Sequence, residues 1–319
     1  MKTLYLSIIV FCLCSVLTMS SCQKKTEKTP GPGTKRINVV TSLFPIYDFA
    51  RNVAKEKAET VLLLPPGVEP HSFEPKPGDI LTINRADLLF YTNDYMEPWI
   101  STIMKGLNNP KLTVINTSKN ILLIGGSNLD RNSDSHQNHS DEHTGKDPHI
   151  WLNFANAITM VENIRDGLVA KDPVNADYYT KNAADYIEKL SLLDKRYKES
   201  ISGCRKRIIV NAGHFTFGYL AQRYDLRYIS AYGLSPNSEP SPGSLAKVTD
   251  TLKKNGLNHI FFEELITPRV AETIAHETGA KLLMLHGAHN ISKDEFSRGI
   301  TFLSLMENNL QNIIIGLQC

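Results

Sequence analysis

KDPVNADYYTKNAADYIEKLSLLDKRYKESISG, residues 171–203, is the stretch on which the fold turns. Asp172-Pro173 opens it. Tyr179, Ala183, Tyr186, Leu190, Leu193 and Tyr197 then recur at alternating steps of four and three, the spacing of one apolar stripe on a helix. The Lys, Asp and Glu residues between them would face water, and Gly203 can end the helix. A single long helix is predicted over 172–202. By itself such a stripe also suits a surface helix of a single domain.

What flanks the stretch favours a strut between two similar halves. Before it, the short apolar runs Ile37 to Val40, Val61 to Leu64, Leu88 to Tyr91 and Leu112 to Ile115 read as strands with helical stretches between, and Pro45 can open the first helix. After it, Ile208 to Val210, Tyr228 to Ile229, Ile260 to Phe262 and Leu282 to Leu285 repeat the pattern. Strands alternating with helices argue for parallel sheets. The expected fold is α/β, with two lobes, each a mainly parallel sheet flanked by helices, joined by one long helix. The boundaries expected are 37–171 for the first lobe, 172–202 for the helix and 203–319 for the second lobe.

With 319 residues, 41% hydrophobic and 21% charged, the composition is ordinary for a globular chain of about two domains. A net charge of +2 without any Lys/Arg block gives no basic stripe, so nucleic acid is not an expected partner.

The N-terminus carries an address. Lys2 precedes an apolar run from Leu4 to Met19, broken only by Ser7, Ser15 and Thr18, and Ser20, Ser21 and Cys22 follow. A positive start, a short apolar core and small residues describe an export signal, too short to span a bilayer. Cys22 after two serines resembles the lipobox of bacterial lipoproteins, although Met19 stands where that pattern usually has Leu. Residues 1–21 are therefore expected to be a signal peptide, Cys22 the lipid anchor, and the polar, Pro/Gly-containing 22–36 a tether. Cys204 and Cys319 would then be the remaining cysteines. Export makes a bond between them chemically possible, but two free thiols are the expectation.

The chemistry rests on histidine. His71 lies in Pro65-Pro66-Gly67-Val68-Glu69-Pro70-His71-Ser72-Phe73-Glu74-Pro75, a loop after a predicted strand whose prolines limit the entropy lost on fixing a side chain. Ligands of α/β sheets collect at the carboxyl ends of strands. His149 sits between Pro148 and the apolar Ile150-Trp151-Leu152, and His214 follows the strand Ile208 to Val210. Each could be a packed histidine. Drawn from both lobes, the three can also converge in a cleft. His136, His139 and His143 lie in a polar segment, 127–146, expected to be a loop. His259 and His276 lack supporting context and read as structural or exposed.

Several ordered motifs resemble the metal-binding components of ABC importers for zinc and manganese. They are the Pro-Gly-x-x-Pro-His-x-Phe-Glu-Pro stretch around His71, Asp147-Pro148-His149-Ile150-Trp151-Leu152-Asn153, and Asp172-Pro173-x-Asn175 leading to Tyr179 and Asn182. His214-x-x-Phe217-Gly218-Tyr219-Leu220, Glu263 and Glu277-Thr278-Gly279-Ala280-Lys281 continue the series. The resemblance covers nearly the whole mature chain. It implies metal in the cleft with His71, His149 and His214 as ligands, and a fourth ligand from a loop after a late strand, which in the family is Asp, Glu or His or is replaced by water. Leu285-His286-Gly287-Ala288-His289-Asn290 is that loop here, with His289 the better placed and His286 the alternative. Glu263 and Glu264 could accept ring N–H groups instead of binding metal. Neutral imidazoles suit Zn²⁺ and the His-rich loop is typical of zinc members, whereas Mn²⁺ is better served by carboxylate oxygen.

The function this implies is zinc capture outside the cytoplasmic membrane and delivery to an ABC permease, by a lipid-anchored monomer that is not an enzyme. The alternatives are a manganese-binding component, an adhesin of the same family, or an exported zinc hydrolase. The last lacks both a His-Glu-x-x-His segment and a Gly-x-Ser-x-Gly elbow.

Overall fold

The computed structural model describes residues 36–125, 145–237, 239–265 and 267–319. The export signal, the tether with Cys22, and His136, His139 and His143 lie outside them. Arg36–Cys319 forms one compact unit.

Two four-stranded parallel sheets have the same order. In the first, β1 (Ile37–Thr41) lies between β2 (Ala58–Leu62) and β3 (Leu88–Tyr91), with β4 (Thr113–Asn116) outside β3. In the second, β5 (Ile208–Asn211) lies between β6 (Arg227–Ser230) and β7 (His259–Phe262), with β8 (Lys281–Met284) outside β7. Each apolar run predicted as a strand is one to within a residue, except at β2, which begins three residues before its run and ends two residues short of it. As an edge strand it buries only Ala58 fully, with Thr60 and Leu62 partly covered on the same face, so it begins before the apolar run, and Leu63 and Leu64 are buried beyond its end.

Helix α1 (Phe44–Ala54) has Pro45 in its first turn and a largely buried body. Helices α2 (Pro77–Asn84) and α3 (Ile100–Gly106) complete the β2–β4 region. Between the sheets come helix α4 (Phe154–Lys171), a 3-10 turn at Pro173–Asn175, and then α5 (Ala176–Ser202), the long helix that the stripe predicts. Asn153 caps α4 by accepting the Ala155 N–H. The predicted stripe is the buried face of α5, extended by Asn182 and Ile201.

The second half adds α6 (Gly218–Arg223), α7 (Pro242–Lys254), α8 (Arg269–Thr278), α9 (Lys293–Ser297) and α10 (Phe302–Gly316). Helix α5 packs on α1 from the first half and on α10 from the second. One apolar cluster accordingly runs through both halves, from Val39 and Phe90 to Phe261 and Leu310. Buried Asp48 marks the junction: its Oδ2 accepts the Tyr186 hydroxyl of α5 at 2.9 Å and the Phe302 N–H at the start of α10 at 3.2 Å.

Cys204 and Cys319 are bonded, which corrects the expectation of free thiols. Helix α10 packs along α5, bringing the chain end to the residue after Gly203. The Lys206 N–H donates to the Leu317 carbonyl at 3.1 Å, pairing the same two segments. Sequence alone gave no sign of that return path.

Candidate metal centre

The four histidines come from four segments. His71 sits in the proline-braced loop after β2, where the Glu69 carboxylate accepts the N–H groups of His71 and Ser72, both at 2.8 Å. His149 precedes the 3-10 turn Ile150–Leu152. His214 lies three residues beyond β5, and His289 five beyond β8.

One nitrogen from each of these rings lies within 4.8 Å of the others. His149 Nε2 is 3.3 Å from His71 Nε2 and 3.3 Å from His214 Nε2. Nitrogens about 2.0–2.1 Å from one tetrahedral zinc would be roughly 3.3–3.4 Å apart. His289 Nε2 is buried and has no hydrogen-bond partner, as expected of an atom reserved for a cation.

Three of the rings have a carboxylate behind them. Asp147 Oδ1 is 2.7 Å from His149 Nδ1, Glu263 Oε2 is 2.5 Å from His214 Nδ1, and Glu264 Oε1 is 3.4 Å from His289 Nδ1. Each can accept a hydrogen bond from Nδ1–H, which turns the Nε2 lone pair inward and raises its basicity. With Nδ1 of His149 and His214 so engaged and both rings neutral, their Nε2 lone pairs turn toward each other, with Thr216 Oγ1 also 2.9 Å from His214 Nε2. A shared cation makes that arrangement favourable.

Burial, with His289 and His214 nearby, holds the His71 ring well below the ordinary imidazole range, and burial does the same to His149. Burial also pushes the Asp147 carboxyl up to about 8. Without a cation this pair sheds charge. A divalent ion at Nε2 reverses the local field and favours the ionised Asp147 that accepts Nδ1–H. Burial opposes charge on His214 too, but the carboxylates of Glu263, Glu264 and Glu69 together raise the ring. Glu264 is held at about 2: burial resists, while His286, His289 and the Gly287 N–H stabilise its charge.

Two glycines make the approach possible. A Cβ on Gly213 would overlap the Glu263 carboxylate, and one on Gly287 would overlap the His289 ring. The Trp151 indole N–H donates to the Gly287 carbonyl at 2.8 Å, and its ring lies 5.4 Å from that of His289.

His286, the alternative fourth residue, turns away. Its Nδ1 accepts the Ala288 N–H at 2.9 Å and its Nε2 faces Glu295 at 3.7 Å. His276 is exposed, and His259 is a half-buried residue of β7. Glu263 and Glu264 stand as ring acceptors. The sequence reading gave no such role to Asp147, although its place two residues before His149 in Asp-Pro-His was a usable signal.

Residues 39–315 match the family described as zinc-uptake complex component A, periplasmic. The high-affinity zinc uptake system protein ZnuA of Bacillus subtilis (strain 168) is 36% identical over 301 residues, 94% of each chain. The zinc-binding lipoprotein AdcA of Streptococcus pneumoniae serotype 4 is 35% identical over 307 residues, which make up 96% of this chain and 60% of AdcA. This chain therefore spans less than two thirds of AdcA. The crystal structure of the Zn(II)-bound ZnuA-like domain of Streptococcus pneumoniae AdcA is similar at a TM-score of 0.75 and 34% identity, covering 89% of this chain and 100% of that one.

Proposed function

The chain belongs to the zinc-uptake complex component A family, and we propose that His71, His149, His214 and His289 are the protein ligands of the zinc ion it carries. It is the high-affinity zinc-binding component of an ABC importer and not an enzyme. The observation that carries the ligand assignment is the pair of 3.3 Å separations between Nε2 atoms whose rings are pinned from behind. Four imidazoles complete a tetrahedral shell and leave no position for a catalytic water, which speaks against a hydrolase. The ligand atoms include no carboxylate oxygen, so the chemistry favours zinc over manganese.

Three further parts of the reading accompany this. Cys22 carries lipid and 22–36 tethers the body to the outer side of a membrane, in a periplasm or at the surface of a single-membrane cell. The name of the AdcA lipoprotein supports it. Residues 37–171 and 203–319 act as lobes on either side of the 172–202 connection, supported by the shared strand order of the two sheets. The body works as a monomer that delivers zinc to the permease. None of the described helices is long and apolar enough to cross a membrane.

Metal analysis of the purified protein with calorimetric titration tests the assignment. The expected result is one tight zinc site per chain that manganese does not displace. A tight site that prefers manganese, or survives His149→Ala unchanged, overturns it.

A further inference from the structure

Three of the four histidines are sealed in: His149, His214 and His289 are 0%, 3% and 4% exposed, whereas His71 is only half-buried. An ion must therefore leave on the side of His71. The opening there is lined by Glu69, Pro70, Pro236 and Leu265 among others. Leu265 stands out among them. The residue is 43% exposed, and its backbone is left-handed at φ 60°, a conformation that bulky side chains rarely adopt.

The residue before it is the clamp on the fourth ligand. Glu264 Oε2 accepts the Gly287 N–H at 2.7 Å, and Oε1 lies 3.4 Å from His289 Nδ1. Ala288, between those two contacts, is also left-handed at φ 57°. Displacing Leu265 thus acts on a segment already held out of its preferred conformation. Exposed Val68, which precedes Glu69 in the chain, is tied to the same segment, because Asn290 Nδ2 donates to the Val68 carbonyl at 2.9 Å. Leu265 and Val68 are both linked to 287–290, Leu265 through the neighbouring Glu264.

We propose that Leu265 and Glu264 form a release lever, worked by an apolar surface at the outer mouth of the importer's permease. This rests on the import function above. During transfer the exit must be covered, or the ion escapes to water, and apolar rim contacts exclude water best. Contact with Leu265 lets its backbone relax and draws Glu264 away from Gly287 and His289. The shell falls from four imidazoles to three, and the zinc becomes exchangeable toward the permease.

Zinc dissociation from the loaded protein, followed with a chromogenic chelator with and without its reconstituted permease, tests this. Leu265→Ala should keep the unassisted rate within about threefold of the parent. It should lose about tenfold or more of the acceleration given by the permease. Glu264→Gln should speed unassisted release about tenfold or more. The lever is wrong if the permease unloads Leu265→Ala as fast as the parent. It is also wrong if Leu265→Ala matches Glu264→Gln without the permease, or if Glu264→Gln releases zinc at the parental rate. A parent that binds zinc tightly but is not unloaded removes the import reading and the lever together, while the ligand assignment stands on its own titration.

Discussion

Two carboxylates buried beyond the carboxyl ends of central strands, one in each half, are put to different use. In the first half it is Glu97, 2% exposed, which accepts the Ser42 hydroxyl at 2.5 Å and the N–H groups of Thr92 and Asn93 at 3.1 and 3.0 Å. In the second it is Glu263, 4% exposed, which takes His214 Nδ1 together with the Asn211 amide at 2.9 Å and the Thr216 hydroxyl at 3.1 Å. Glu97 has only neutral donors, and burial pushes it up to about 7. It touches the metal centre at one remove, since the Asn93 it anchors donates to the Pro148 carbonyl at 3.3 Å, next to His149. The same strand order thus yields one carboxylate that holds a turn and one that orients a ligand. What separates them is the neighbour: Glu97 meets only backbone N–H groups and a hydroxyl, whereas Glu263 reaches Nδ1 of a metal-centre imidazole.

The contrast can be broken most forcefully at the ligand itself. His214→Ala should lower zinc affinity on the order of a thousandfold, measured by competition with a chelator of known affinity. Next comes the pair of carboxylates. Glu263→Gln should weaken zinc binding by about ten- to a hundredfold. Glu97→Gln places an amide group against N–H donors and should instead cost about 1–3 kcal/mol of stability, with zinc affinity within about threefold. If the two substitutions weaken zinc binding equally, the division of labour is wrong.

A third test uses acid. The folded state holds the Glu97 proton more tightly than the unfolded chain, whose pKa is about 4.3. Its contribution is therefore fully present below that value and is lost as pH rises through about 7. His71 and His149, which are depressed, slope the other way, and Asp147 slopes with Glu97. Only the difference between parent and Glu97→Gln, both zinc-free, isolates it. That difference should change by up to about 3 kcal/mol across this window, read from urea unfolding at several pH values. A flat difference would mean that Glu97 does not titrate as its surroundings dictate. The smallest effect on zinc is expected for His286→Ala, within about threefold, against a clear loss for His289→Ala by the same competition assay.

Much of this was legible in the sequence because burial leaves periodic traces. The stripe from Tyr179 to Tyr197 could be read because its residues are large and apolar on an otherwise charged helix. Helix α4 was not read: its buried face includes Ala157 and Gly167, and Asn and Thr interrupt the pattern. The strands were found because they are short apolar runs, and β2 was misplaced because an edge strand hides only one face. His71, His149 and His214 were carried by their motifs. The choice of His289 over His286 needed three dimensions: both rings are buried, and only the turn at Gly287 and left-handed Ala288 sends one inward and the other toward Glu295. The Cys204–Cys319 bond was hidden for a similar reason, since it depends on where α10 ends rather than on anything near either cysteine.

Asp48 joins α1, α5 and the start of α10 through a single buried oxygen, and one apolar cluster crosses the same junction. A body so joined has little freedom to change outline when it loads, because wide closure needs flexible linkers between its parts. The permease then meets full and empty carriers of nearly the same shape. Unloaded protein becomes a rival for the docking position, and uptake at a fixed zinc supply should pass through a maximum as carrier is added.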